Sequence, residues 1–98
     1  MEIAKTQENT KLTLTVSGRL DTTTSPKLEA ELNAAIAGVT ELVFDFKDLD
    51  YISSAGLRIL LTAQKAMAKQ GTMKIVHVNE TVMEVFEITG FADILTIE

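Results

Sequence analysis

The sequence predicts an α/β fold with a mixed sheet of about five strands, in the order β-β-α-β-α-β-α-β, and helices packed on the sheet. Three observations carry this. Two strand-like stretches follow one another near the N-terminus, with a turn between them. A short, continuously apolar stretch, ELVFDF from Glu41 to Phe46, has the composition of a strand buried on both faces. From there to the end, helix-like and strand-like periodicities take turns, and strand-helix-strand units imply parallel pairs joined by right-handed crossovers. A chain of 98 residues suits one domain with one core.

Glu2 to Gln7 reads as a weak strand, and Glu8 to Thr10 turns the chain. Leu12, Leu14 and Val16 then alternate with Thr13, Thr15 and Ser17, the period of a half-buried strand. These two strands form an antiparallel hairpin at one edge. A run of threonines leads to Ser25 and Pro26. Ser25 is expected to cap a helix, and Pro26 fits its first position, where a missing N–H is no loss. Leu28, Leu32 and Ile36 recur every fourth residue, and Gly38 stops the helix. After the ELVFDF strand a loop is expected from Asp45 to Gly56. Leu57, Leu60, Leu61, Gln64 and Met67 then fall at helical spacing, up to Gly71. Met73 to Val78 is a strand with His77 inside it. Asn79 or Thr81 caps a third helix bearing Val82, Val85 and Phe86. Gly90 ends that helix, and Phe91 is expected to fold back onto Phe86. Ile94 to Ile97 is expected as a last short strand.

Composition excludes several functions. The net charge is −5, and the nine basic residues are scattered singly, so no nucleic acid is expected as a partner. No basic amphipathic stripe suits anionic lipid, and no apolar stretch is long enough to span a membrane. The first residues lack the apolar core of a signal peptide. Cysteine is absent, which removes disulfides, thiol catalysis and thiolate metal sites. The expectation is a cytoplasmic monomer with no membrane association and no cofactor.

In sheets of this kind, function sits at the carboxyl ends of central strands, where the next helix starts. Here that is Asp45 to Gly56. Asp45, Asp48 and Asp50 could suggest a phosphoacceptor or a magnesium site. The first needs an early acidic pair and a late lysine, the second an Asp-x-Asp directly after the strand, and neither pattern is present. They read as acids of a solvated loop. His77 is the only histidine and cannot build a zinc site alone, so it reads as a structural or surface residue. Gly18, Gly38, Gly71 and Gly90 stand singly at element ends and form no phosphate loop. Ser53, Ser54, Ala55 and Gly56 remain. One serine can cap the helix, worth around 1 kcal/mol. A cap does not explain four consecutive small residues, which leave an accessible ridge where a partner backbone or a kinase's γ-phosphate can approach. Spacing alone leaves cap and site open.

Three motifs resemble one family. They are VSGRLDTTTSPKL (Val16 to Leu28), LVFDFKDLDYISSAGLRILL (Leu42 to Leu61) and VMEVFEITGF (Val82 to Phe91). In this order, and along essentially the whole chain, they resemble the STAS domains, and within them the bacterial anti-sigma factor antagonists. The best-known family signature reads Met-Asp-Ser-Ser/Thr-Gly-Leu, with the first hydroxyl after the aspartate phosphorylated. Matching on Gly56 and Leu57 makes Ser54 the implied phosphoacceptor. Ser53 stands where that form has Asp, and Ala55 where it has the second hydroxyl. The implied partner-binding surface comprises Asp21, Thr22 and Thr23 with Ser53, Ser54, Ala55, Gly56, Leu57 and Arg58.

The resemblance implies partner switching. The dephosphorylated protein would bind an anti-sigma factor, a serine kinase with a histidine-kinase-like ATPase fold, and so free a sigma factor. The kinase would phosphorylate the antagonist with ATP, and a metal-dependent serine phosphatase would reset it. The protein would be a substrate of both, not an enzyme. An alternative is a STAS subunit that is never phosphorylated, acting as a scaffold or as the accessory of a transporter ATPase. A nucleotide binder or enzyme has least support, because no phosphate loop, acid pair or nucleophile-base pair is visible.

Overall fold

The computed structural model describes Met1–Glu98. The elements are β1 (Glu2–Glu8), β2 (Lys11–Leu20), α1 (Ser25–Ala35), β3 (Glu41–Asp45), β4 (Leu49–Ile52), α2 (Ser54–Ala68), β5 (Thr72–Val76) and α3 (Glu80–Thr89), followed by a 3₁₀ turn at Phe91–Asp93. The fold class is as expected: mixed α/β, with a five-stranded mixed sheet and three helices.

The strands run β1-β2-β3-β5, with β4 also paired to β2. The β1–β2 hairpin is antiparallel, and every other pairing is parallel. Asn9 takes the tight turn at φ 55°, a left-handed conformation that its short polar side chain tolerates. Strand β2 is long because it serves two neighbours. Lys11–Thr15 pairs with β3, and Gly18–Leu20 pairs with β4. The register shifts at Gly18, whose φ of +83° suits glycine.

Two elements differ from expectation. β4 lies inside what reads as a loop. It buries Leu49 and Ile52 but exposes Asp50, so its apolar residues are three apart and carry no period of two. The last strand is reduced to a single parallel bridge between Ile97 and Ile75. Ile75 still bonds both ways there, donating to Thr96 O and accepting from Glu98 N, each at 2.9 Å. Ile94 ends the 3₁₀ turn instead of entering the sheet.

One core cluster holds the elements together. It takes Leu12, Leu14 and Val16 from one face of β2, and Leu42 and Phe44 from β3. Val43 is also buried, so β3 is covered on both faces. Phe44 and Phe46 pack with ring centroids 5.8 Å apart. Helix α2 buries Gly56, Leu57, Ile59, Leu60, Ala63 and Met67, whereas Leu61 and Gln64 are only half-buried. The buried stripe is thus rotated slightly toward Ile59 and Ala63. Gly90 closes α3 in the left-handed conformation, and half-buried Phe91 packs on the cluster that contains Phe86.

Candidate functional site

Two loops leave the sheet at one end because β2 and β4 are parallel neighbours. Leu20 pairs with Ile52, and the Ser53 N–H donates to the Leu20 carbonyl at 2.8 Å. Asp21 and Ser53 therefore follow directly from paired strand ends.

Ser53 occupies the N-cap position of α2 in extended backbone, φ −99° and ψ 177°. Its hydroxyl makes no cap bond; its Oγ is buried and has no partner. The Ser53 carbonyl accepts from the Leu57 N–H at 3.0 Å. Ser54 is the first helical residue and is exposed. Neither serine caps the helix, and the amides of Ser54, Ala55 and Gly56 bond to no protein acceptor. The positive end of a 15-residue helix thus stands uncapped beneath an exposed hydroxyl.

The other loop is closed by its aspartate. Asp21 Oδ1 accepts from the amides of Thr23 and Thr24 at 3.0 and 3.1 Å. In return the Asp21 N–H donates to Thr24 Oγ1 at 2.9 Å, and that hydroxyl donates to the Arg19 carbonyl at 2.7 Å. These reciprocal Asp21–Thr24 bonds have the pattern of a capping box and close the turn that leads into α1. The Thr24 amide, aided by the Thr23 amide and the Arg19 charge, holds the Asp21 carboxyl below its ordinary pKa against an opposing effect of burial. The Arg19 guanidinium lies 3.8 Å from Asp21 and stacks over the Tyr51 ring at 4.4 Å. Ser25, expected as the cap, is instead the first residue of α1 and is buried; Thr24 holds the N-cap position without a side-chain cap bond, and the Asp21 bonds close the turn before it. The Asp21-x-x-Thr24 spacing was the signal for this.

Of the residues expected on the partner surface, Asp21, Thr22, Thr23, Ser53, Ser54, Ala55 and Arg58 lie on these two loops and the first turn of α2. Thr22, Ala55 and Arg58 share a shallow depression of about 180 Å³ with Ser25, Pro26, Glu29 and Ile59. Gly56 and Leu57 are buried where α2 meets the sheet. A Cβ on Gly56 would come within 2.8 Å of both Ile52 Cγ1 and Leu20 Cγ.

Asp45 ends β3 and accepts the Lys47 amide at 3.0 Å, with His77 Nδ1 also 3.0 Å away. Burial pushes its carboxyl pKa up, but the His77 and Lys47 bonds together outweigh that and hold it below the usual value. His77 is not inside a strand. It follows β5 at φ 59°, exposed, where the chain bends toward α3. Asp48 is an exposed loop acid, as expected, whereas Asp50 is exposed but lies in β4. No three metal-ligating side chains gather anywhere in the chain. Asn79, not Thr81, caps α3: its Oδ1 accepts from Val82 N at 2.8 Å, while its Nδ2 donates to Leu49 O at 2.6 Å. No helix is long and apolar enough to cross a membrane.

The STAS domain profile matches residues 2–98. BtrV of Bordetella bronchiseptica, which carries the provisional name of an anti-sigma factor antagonist, is 39% identical over 84 residues, 84% of this chain and 72% of that protein. The anti-sigma-B factor antagonist of Bacillus subtilis is 28% identical over 92 residues, 93% of this chain and 84% of that protein. Among solved structures, unphosphorylated SpoIIAA, an anti-sigma factor antagonist, superposes with a TM-score of 0.85 at 20% identity, covering 99% of this chain and 88% of that one. With the profile spanning nearly every residue, the chain belongs to the STAS domain family.

Proposed function

We propose that this protein is an anti-sigma factor antagonist, switched off by phosphorylation of Ser54. One observation carries the reading: Ser54 presents an exposed hydroxyl at the uncapped positive end of α2. In the dephosphorylated state the two loops bind an anti-sigma serine kinase with a histidine-kinase-like ATPase fold, and its sigma factor is freed. In the reverse step Ser54 Oγ attacks the γ-phosphorus of the kinase's ATP. The bond from that phosphorus to the ADP oxygen breaks, and the seryl proton passes to a base on the kinase. A metal-dependent serine phosphatase removes the phosphoryl group by hydrolysis. The protein acts in the cytoplasm as a substrate, not as an enzyme.

The physics of such a switch suits this position. Phosphorylation adds roughly −1.5 to −2 charges. Within the domain, the free amides and the helix dipole favour an anion there. Against a docked partner the same group brings steric and desolvation penalties, and each 1.4 kcal/mol or so reduces affinity about tenfold. Arg58, one helical turn after Ser54 and free of any ion pair, is placed to contact the phosphate or the partner.

A second reading, a STAS subunit that is never phosphorylated, is favoured by Ser53. Its hydroxyl is buried and unpartnered where the family's phosphorylated form carries an aspartate. Intact-mass spectrometry after incubation with the cognate kinase and ATP separates the two. One phosphoryl group on the wild type and none on Ser54→Ala supports the switch. No addition to either by an active kinase supports the constitutive subunit.

A further inference from the structure

We infer that the exposed face of α2 docks on the exposed face of α3 of a second copy of this chain. The basic residues are scattered singly along the sequence, but α2 gathers several of them. Arg58, Lys65 and the C-cap residue Lys69 lie on the side of the helix opposite its buried residues. All are exposed, and none makes an ion pair. Helix α3 carries the opposite charge. Its exposed Glu80, Glu84 and Glu87 are likewise without ion pairs. They border a shallow groove of about 290 Å³, in which half-buried Val78 and Met83 supply the apolar lining. Ile88, 85% exposed, adds apolar surface one turn after Glu84.

Neither face suits a helix left alone. Lys65 and Lys69 are one turn apart, and so are Glu80 and Glu84, and Glu84 and Glu87, so like charges are neighbours on both. Such neighbours repel, and an oppositely charged helix relieves both sets. The spacings also agree. Arg58 and Lys65 are separated by the same two turns as Glu80 and Glu87, roughly 10.5 Å along each axis. Half-buried Leu61 follows Arg58 at the interval at which Met83 follows Glu80. Laid parallel, the two faces bring Arg58 to Glu80, Leu61 to Met83 and Lys65 to Glu87. The second copy's α2 thus has the charge, the apolar knob and the spacing that the α3 groove takes. Each copy offers one face of each kind, so the contact closes reciprocally into a dimer or continues head to tail. Arg58 also belongs to the surface of the proposed function; on that reading, which the contact itself does not need, self-association and kinase docking exclude one another.

Sedimentation velocity on the full chain over a range of protein concentrations, at low and high salt, tests the contact. Exposed ion pairs are individually weak, so a dissociation constant on the order of 0.1–1 mM is expected in about 20 mM salt, weakened at least roughly tenfold in about 0.5 M salt. Lys65→Glu combined with Lys69→Glu should abolish the association, and so should Glu84→Lys combined with Glu87→Lys. Thermal melts check that both variants fold. An equimolar mixture of the two should associate again, because each altered face then meets its complement. Both variants remain net acidic, so such recovery is local and owes nothing to overall charge. A wild type that stays monomeric at low salt up to about 1 mM would overturn the inference and leave the groove to a different protein. Self-association indifferent to both pairs of substitutions, or a mixture that stays monomeric, would overturn it as well. No kinase enters the experiment, so its outcome stands apart from whether Ser54 is phosphorylated.

Discussion

Leu20 fills the space that a side chain on Gly56 would need. Its Cγ lies 2.8 Å from where a Cβ would sit, with Ile52 Cγ1 equally close on the other side. Gly56 thus lets the first turn of α2 settle directly onto the paired ends of β2 and β4, which fixes the height of Ser54 above the sheet. Gly56→Ala forces two buried branched side chains to move, and overpacking of this kind costs about 1–3 kcal/mol. Urea unfolding should show a lowered midpoint with an unchanged slope. An unchanged midpoint would mean that α2 can lift without cost.

Asn79 joins α3 to β4 through both ends of its amide. Asn79→Ala removes a cap worth about 1 kcal/mol and leaves the Leu49 carbonyl without its donor, for about 1 kcal/mol more. Asn79→Ser should recover the first loss and not the second. Chemical denaturation of the three proteins should therefore rank wild type above Asn79→Ser, and Asn79→Ser above Asn79→Ala. Equal stability of the two variants would remove the bond to Leu49 from the account.

Legibility in the sequence follows the kind of signal each part carries. The alternation of Leu12, Leu14 and Val16 and the spacing of Leu28 and Leu32 each reflect one face against water, and both were readable. Strand β4 was not, because Leu49 and Ile52 are held by the end of β2 and not by any period of their own. The last strand was overread from Ile94 to Ile97; β5 offers only Ile75 as a partner there. At the site, the run of small residues from Ser53 to Gly56 marks the start of α2, where Ser54 is exposed. Gly56 and Leu57, in the same motif, are buried, a difference that the spacing of small residues does not report. The pairing of Asp45 with His77, 32 residues apart in sequence, depends on β3 and β5 lying side by side, which no local pattern reports.

That pair gives a pH dependence. Asp45 has a folded pKa below its ordinary value of 3.8. A depressed carboxylate pKa means that the unfolded chain binds the proton more readily. Its stabilising contribution is therefore fully present well above pH 3.8 and is lost as pH falls through the lower folded value. Asp21 shifts in the same direction and adds to the same window. Asp45→Asn should lower stability at neutral pH and flatten the acid limb of the stability profile. Parallel profiles for variant and wild type between neutrality and pH 2 or so would show that Asp45 gains nothing from His77 and Lys47.

Under the proposed switch Ser54 separates folding from binding, because its hydroxyl makes no bond within the domain while its position is exposed. Ser54→Ala should leave stability within about 0.5 kcal/mol of wild type, as for surface changes remote from structural features. Ser54→Asp places a negative charge at the uncapped start of α2, where the dipole favours it by about 0.3–1 kcal/mol. Its thermal midpoint should equal or exceed that of the wild type. Binding of the cognate kinase should move the other way: nearly unchanged for Ser54→Ala, and weakened at least tenfold or so for Ser54→Asp, the equivalent of about 1.4 kcal/mol. Opposite signs in calorimetric melting and in titration would locate the penalty at the interface. A Ser54→Asp protein that melts early and binds weakly would instead make the loss of binding a loss of fold, and the switch would then have to work by unfolding the first turn of α2.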